Sequence, residues 1–159
     1  MGKGPLMADD ERIDRFLELS RLLLEMDGLS PETGAVYLAM LDDLDPEWPL
    51  TAMARHLLPL GALPPAEREH LIMRALHADE AWHTAAFNLQ YVWYIGSLSR
   101  PDTSFVHQPP EAYLGALVWP LLGTQAPGLP GPFFGEWAYP PTRAGSPVRV
   151  GDPSGEAGA

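Results

Sequence analysis

The densest group of residues able to do chemistry is Glu67-Arg68-Glu69-His70, followed by His77-Ala78-Asp79-Glu80 and His83. Residues three and four apart share one face of a helix, so Glu67 with His70, and His77 with Glu80, would each set a carboxylate beside an imidazole. Glu-x-x-His is one ingredient of di-iron carboxylate centres, but such centres need it on two helices and a further Glu from each of two others. The other helical segments supply no second Glu-x-x-His. Glu67, His70, His77 and Glu80 therefore define only an alternative reading, a helical metal-binding protein of ferritin-like or oxidase-like type. A solvated polar face with local ion pairs is the leading one. His56, His70, His77, His83 and His107 are the candidates for acid–base work, and each would need an orienting carboxylate and a pocket. No Gly-rich phosphate loop, Ser-centred elbow or dinucleotide fingerprint is present. The chain contains no cysteine, which removes thiolate nucleophiles, disulfides and Cys-ligated metals. The expectation is a chain with no catalytic residues and no cofactor of its own.

These residues sit in a segment that reads as one long helix from Pro65 to about Leu98, with a possible break near Thr84. Three helices precede it. The first runs from Asp9 to Met26, with Asp9 or Asp10 as N-cap, Ile13, Phe16, Leu17, Leu19, Leu23 and Met26 mostly on one face, and Gly28 at its end. Ser30-Pro31 starts the second, which continues through Val36, Tyr37, Met40 and Leu41 to about Leu44. A third, short helix lies near Leu50 to Leu58, closed by Pro59, Gly61 and Pro64-Pro65. No Asn-Gly or Asp-Gly turn sits between alternating apolar runs, so the fold class is all-α, with about five helices. The organisation expected is a flexible N-terminus over residues 1–8, a helical domain over 9–123, an irregular arm over 124–141 and a disordered tail over 142–159.

The arm draws attention because its composition conflicts with itself. Its prolines and glycines prevent a helix or a central strand, yet it carries Phe133, Phe134, Trp137 and Tyr139. Disordered segments are poor in aromatics, so this one is expected to dock, on its own domain or on another chain. Further aromatics lie at Tyr91, Trp93, Tyr94, Tyr113 and Trp119. Aromatic residues serve either the core of a small domain or an interface. Trp93, Tyr94, Trp119, Phe133, Phe134, Trp137 and Tyr139 are the expected partner contacts, with Trp119 expected to double as core because it precedes Pro120 on a helix.

Charge and hydropathy narrow the partners. The net charge is -11, and twelve acidic against four basic residues in the first fifty place most of it at the N-terminal end. Phosphate binding needs clustered Lys and Arg, so nucleic acid and anionic membrane are not expected partners. The longest apolar run, residues 112–123, is too short for a membrane span and contains Pro120. The first fifteen residues lack the apolar core of an export signal, from which a cytoplasmic location, or a signal removed before the mature form, is expected.

With these residues in view the chain resembles a known family. Trp93-Tyr94-Ile95-Gly96 at a helix end, then EAYLGALVW over residues 111–119 and PGLPGPFFGEWAYPP over 127–141, resemble the small (gamma) subunit of bacterial membrane-bound FAD-dependent sugar and polyol dehydrogenases. This is the sorbitol dehydrogenase small-subunit family, met also with gluconate, glucose and fructose dehydrogenases. Residues 16–41 are similar to the family's opening. The resemblance implies a non-catalytic accessory subunit, chaperone-like, that binds, stabilises and helps mature a flavoprotein large subunit. That large subunit holds the FAD, and a multi-haem cytochrome c subunit is met in the same complex. It also implies a periplasmic or membrane-associated location through that complex. Leu129 stands where family members commonly have cysteine, so no thiol role carries over. A free-standing helical interaction domain is the remaining alternative.

Overall fold

The computed structural model describes residues 5–123 and Ala126. Seven α-helices follow one another: α1 (Pro5–Leu24), α2 (Pro31–Leu44), α3 (Leu50–Leu57), α4 (Pro65–Ala78), α5 (Glu80–Ile95), α6 (Pro110–Leu114) and α7 (Val118–Leu121), with a 3₁₀ turn (Leu58–Ala62) between α3 and α4. The described residues contain no strand, and the fold is all-α. The arm over 127–141 and the tail over 142–159 lie outside the described residues.

Local chemistry accounts for the boundaries. Ser30 caps α2, its hydroxyl oxygen accepting from the Thr33 N–H at 3.2 Å, and Pro31 opens the helix where no N–H is needed. The Glu32 carboxyl is held below its ordinary range by its own backbone N–H and then by the Ser30 hydroxyl. α2 therefore has the limits its sequence predicts. α1 does not. It begins at Pro5, so Asp9 and Asp10 lie inside it rather than capping it, and residues 5–8 belong to the helix. It ends at Leu24, where Glu25 turns left-handed at φ 52°, before Gly28 at φ 75°.

The long fourth helix is in fact two. Asp79 adopts an extended backbone, φ −136° and ψ 111°, and its carboxylate accepts from the N–H groups of Ala81 and Trp82 at 2.9 and 3.2 Å. An aspartate that satisfies the free donors of a new helix ends the old one, so the break falls at Asp79 and not near Thr84. The apolar stretch after residue 110 also divides, into α6 and α7 around Gly115, so the described residues hold seven α-helices where about five were expected.

α1 is the central helix, packed against α2, α3, α5 and the 3₁₀ turn, while α4 lies against α5 and α6 against α2. Leu17, Leu41, Met53, Leu57, Leu89 and Val92 fill the space between them. The loop joining α5 to α6 is tied down by a single antiparallel bridge between Ser99 and Phe105. The Arg100 guanidinium fastens it further, donating to the Phe105 carbonyl at 3.1 Å and to the Asp43 carboxylate at 2.9 Å.

Candidate interaction surface

Among the described residues the polar candidates do not come together. Glu67, His70, His77 and Glu80 are all exposed. The break at Asp79 puts His77 and Glu80 on different helices, so the three-residue spacing that was to set them side by side no longer applies. His77 instead faces His83, with ring centroids 5.8 Å apart. No group of three or more His, Asp or Glu is placed to hold a metal ion among the described residues. His56 leans edge-on against Trp82 at 5.4 Å, and His107 is exposed. Two open hollows, of about 300 and 270 Å³, are lined by Val36, Met40, Asp43, Val106 and His107 and by Arg15, Thr51, Arg55 and Leu58 respectively. Neither sets a nucleophile against a base, and Asp43 is already engaged by Arg100.

The aromatic candidates separate by depth. Trp93 is 1 % exposed and belongs to the core. Its ring stacks on Phe16 at 6.2 Å and forms a T-shaped pair with Tyr37 at 4.9 Å, while Trp48 forms a T-shaped pair with Phe16 at 5.9 Å. The Trp93 indole N–H donates to the Ser20 hydroxyl at 3.0 Å, and that hydroxyl donates to the Phe16 carbonyl at 2.8 Å. A buried aromatic with its polar atom satisfied is structural, which corrects the expectation that Trp93 touches a partner. Tyr94 is half-buried against the core. Trp119 is half-buried outside it, edge-on to Tyr113 at 5.1 Å, with its indole N–H donating to the Tyr113 carbonyl at 2.8 Å. Pro120 lies within α7 and does not end it, because the N–H groups of Leu121 and Leu122 still reach the carbonyls of Leu117 and Val118. Phe133, Phe134, Trp137 and Tyr139 lie outside the described residues.

The two sequence motifs around α5 and α6 prove to be one joint. Gly96 ends α5 in the left-handed conformation at φ 74°, and a Cβ there would lie 2.3 Å from the Ala112 carbonyl oxygen. The same oxygen accepts from the buried Tyr37 hydroxyl at 2.8 Å. Farther along, the Leu117 N–H donates to the Trp93 carbonyl at 2.9 Å. Trp93-Tyr94-Ile95-Gly96 and residues 111–119 therefore hold each other in place. No family model matches the chain, and neither does any curated protein or solved structure.

What remains is the outer face of α5. Ala85, Ala86, Leu89, Val92 and Trp93 form its buried face. Phe87, Tyr91 and Ile95, spaced four apart, form a second apolar stripe and are 57 %, 38 % and 40 % exposed. Phe87 and Tyr91 are already stacked, with centroids 5.8 Å apart and ring planes within 24°. From Thr84 to Gly96 the sequence contains no Asp, Glu, Lys or Arg. A helix apolar on both faces is expected in an interior, and a surface helix normally carries charge on its outer side. The spacing of Phe87, Tyr91 and Ile95 was visible in the sequence, but it was masked by the equally apolar residues between them.

Proposed function

We propose that this chain is a non-catalytic accessory subunit that binds and stabilises the FAD-containing large subunit of a sugar-, polyol- or gluconate-type dehydrogenase. The observation that carries the reading is the second apolar face of α5. A helix that gives one side to its own core and offers Phe87, Tyr91 and Ile95 on the other is built to be covered. The chemistry of the partner comes from the resemblance of residues 93–96, 111–119 and 127–141 to the small-subunit family. The joint between Gly96 and Ala112 gives the first two of those motifs a shared structural purpose.

Such a subunit acts by mass action. It binds the native flavoprotein and not the unfolded one, which stabilises the partner by about 2.7 kcal/mol when the free subunit stands at 100 times its dissociation constant. The contact set is Phe87, Tyr91 and Ile95, with Tyr94 and Trp119 at half depth beside the joint and Phe133, Phe134, Trp137 and Tyr139 from the arm. FAD, and any multi-haem cytochrome c, belong to other subunits. Periplasmic or membrane-associated placement is part of the same proposal and rests on the resemblance; no helix among the described residues is long and apolar enough to cross a membrane.

The test is purification of the tagged full chain from its native host. A stoichiometric companion with flavin absorbance, and sugar or polyol dehydrogenase activity towards an artificial electron acceptor, is expected. The chain alone should show neither flavin nor activity. A companion without flavin, or one tightly held metal per isolated chain that is lost on His70→Ala and His77→Ala, would overturn the reading.

A further inference from the structure

The hollow over the seam of α1 and α3 stands out by its charge. The chain has 21 Asp and Glu against 10 Lys and Arg. Four of its arginines are already paired: Arg12 with Asp42, Arg15 with Glu11, Arg68 with Glu25 and Arg100 with Asp43. Yet this hollow, of about 270 Å³, is lined by Arg15, Thr51, Ala54, Arg55 and Leu58, with no carboxylate in its lining among the described residues. We propose that it binds a small aliphatic carboxylate, the charged end received by Arg15 and Arg55 and the alkyl part laid against Ala54 and Leu58.

Helix geometry brings these groups together. Thr51, Arg55 and Leu58 follow one another at helical spacing along α3 and its C-cap, so they share one face. α3 packs against α1, which supplies Arg15. Ala54 is 1 % exposed, the most deeply set of the lining residues, and Leu58 is half-buried against the core. Arg55 is exposed and makes no ion pair among the described residues. Arg15 gives one nitrogen to the Glu11 carboxylate at 2.7 Å, in a surface pair one helical turn apart. Exposed pairs of that kind add little stability, and the guanidinium keeps further N–H donors for a ligand.

The lining selects the class of ligand. Two guanidinium groups and a hydroxyl offer donors and positive charge, which suit an anion and repel a cation. The flat fork of a guanidinium matches a carboxylate, and Arg15 already holds one in Glu11. Ala54 and Leu58 favour a hydrocarbon part, which inorganic phosphate lacks. Size keeps the ligand small, because 270 Å³ is room for about nine waters. A single negative charge also suits the chain as a whole, since its net charge of -11 opposes polyanions at long range. The inference rests on the hollow between α1 and α3 alone, independently of the flavoprotein reading.

The test is a titration of the full chain with hexanoate at low ionic strength, followed through the amide resonances of residues 51–58. One saturable site with a dissociation constant of about 1 mM or lower is expected. Hexanamide keeps the shape without the charge, and inorganic phosphate keeps charge without the alkyl part. Each should bind at least about tenfold more weakly than hexanoate. Arg55→Gln should weaken hexanoate at least about tenfold with the thermal midpoint unchanged, since that side chain is exposed. Arg15→Gln should weaken it as well, whereas Arg74→Gln, an exposed arginine of α4 outside the hollow, should not. No saturation by about 50 mM hexanoate, equal binding of hexanamide, or full affinity in Arg55→Gln overturns the proposal. Phosphate binding as tightly as hexanoate overturns it in favour of a site for inorganic anions.

Discussion

Gly96 approaches Ala112 so closely that no side chain fits between them: a Cβ on Gly96 would stand 2.3 Å from the Ala112 carbonyl oxygen. That contact is backbone to backbone, so neither side can yield by turning a rotamer. It also positions the carbonyl that the Tyr37 hydroxyl needs.

Gly96→Ala should therefore cost more than its left-handed backbone alone explains. Gly28 provides the control, since it has nearly the same φ, 75°, but nothing within 4 Å of the Cβ position. Alanine at Gly28 should cost about 1–2 kcal/mol from conformation only. Alanine at Gly96 should exceed that by at least about 1 kcal/mol as α6 is pushed away. Urea unfolding of the two variants checks this, and equal losses would show that the joint is soft.

Tyr37 ties stability to alkaline pH. Burial pushes its phenol well above the ordinary value of about 10 that the unfolded chain retains. A folded value raised above the unfolded one means that the contribution is complete below pH ~10 and is lost as pH rises from there through the folded value. Midpoints measured from pH 8 to 11 should fall at the alkaline end. Tyr37→Phe should flatten that fall while lowering stability at pH 8 by about 1 kcal/mol, the worth of the hydrogen bond to Ala112. The difference between the two chains is the quantity to read.

Trp93 and Phe87 separate core from interface on one helix. Trp93→Ala removes a buried ring that stacks on Phe16 and satisfies Ser20, and should cost about 3–5 kcal/mol in the isolated chain. Phe87→Ala removes an exposed ring and should change stability by about 0.5 kcal/mol. On the proposed accessory-subunit reading the order reverses for Phe87, whose loss should weaken partner binding by roughly 2 kcal/mol. Thermal midpoints of the isolated variants, with their affinities for whatever partner co-purifies with the full chain, decide this.

Asp79 is the residue that divides α4 from α5. Asp79→Ala leaves the Ala81 and Trp82 N–H groups without their acceptor and should destabilise by about 1 kcal/mol, whereas Asp79→Asn and Asp79→Ser should retain most of the cap. Amide exchange at residues 81 and 82 reports the loss locally. Unchanged exchange in Asp79→Ala would mean that packing alone sets the break.

The amino-acid sequence by itself determined the helical character of the described residues and, at α2, both ends. Ser30-Pro31 acts within four residues, and a signal that local needs no tertiary help. The Asp79 cap was equally local, but it was hidden inside an apolar pattern that continued on either side of it. The tertiary structure alone decided which aromatics are inside. Trp93 and Phe87 lie on a helix whose faces are both apolar, so periodicity marks two stripes and names neither as the core. The choice falls to Phe16, Tyr37 and Ser20, three residues from two other helices that close around Trp93. The same holds for Gly96: its place at a helix end is legible in the sequence, but the need for the smallest residue there comes from Ala112, sixteen positions farther along the chain.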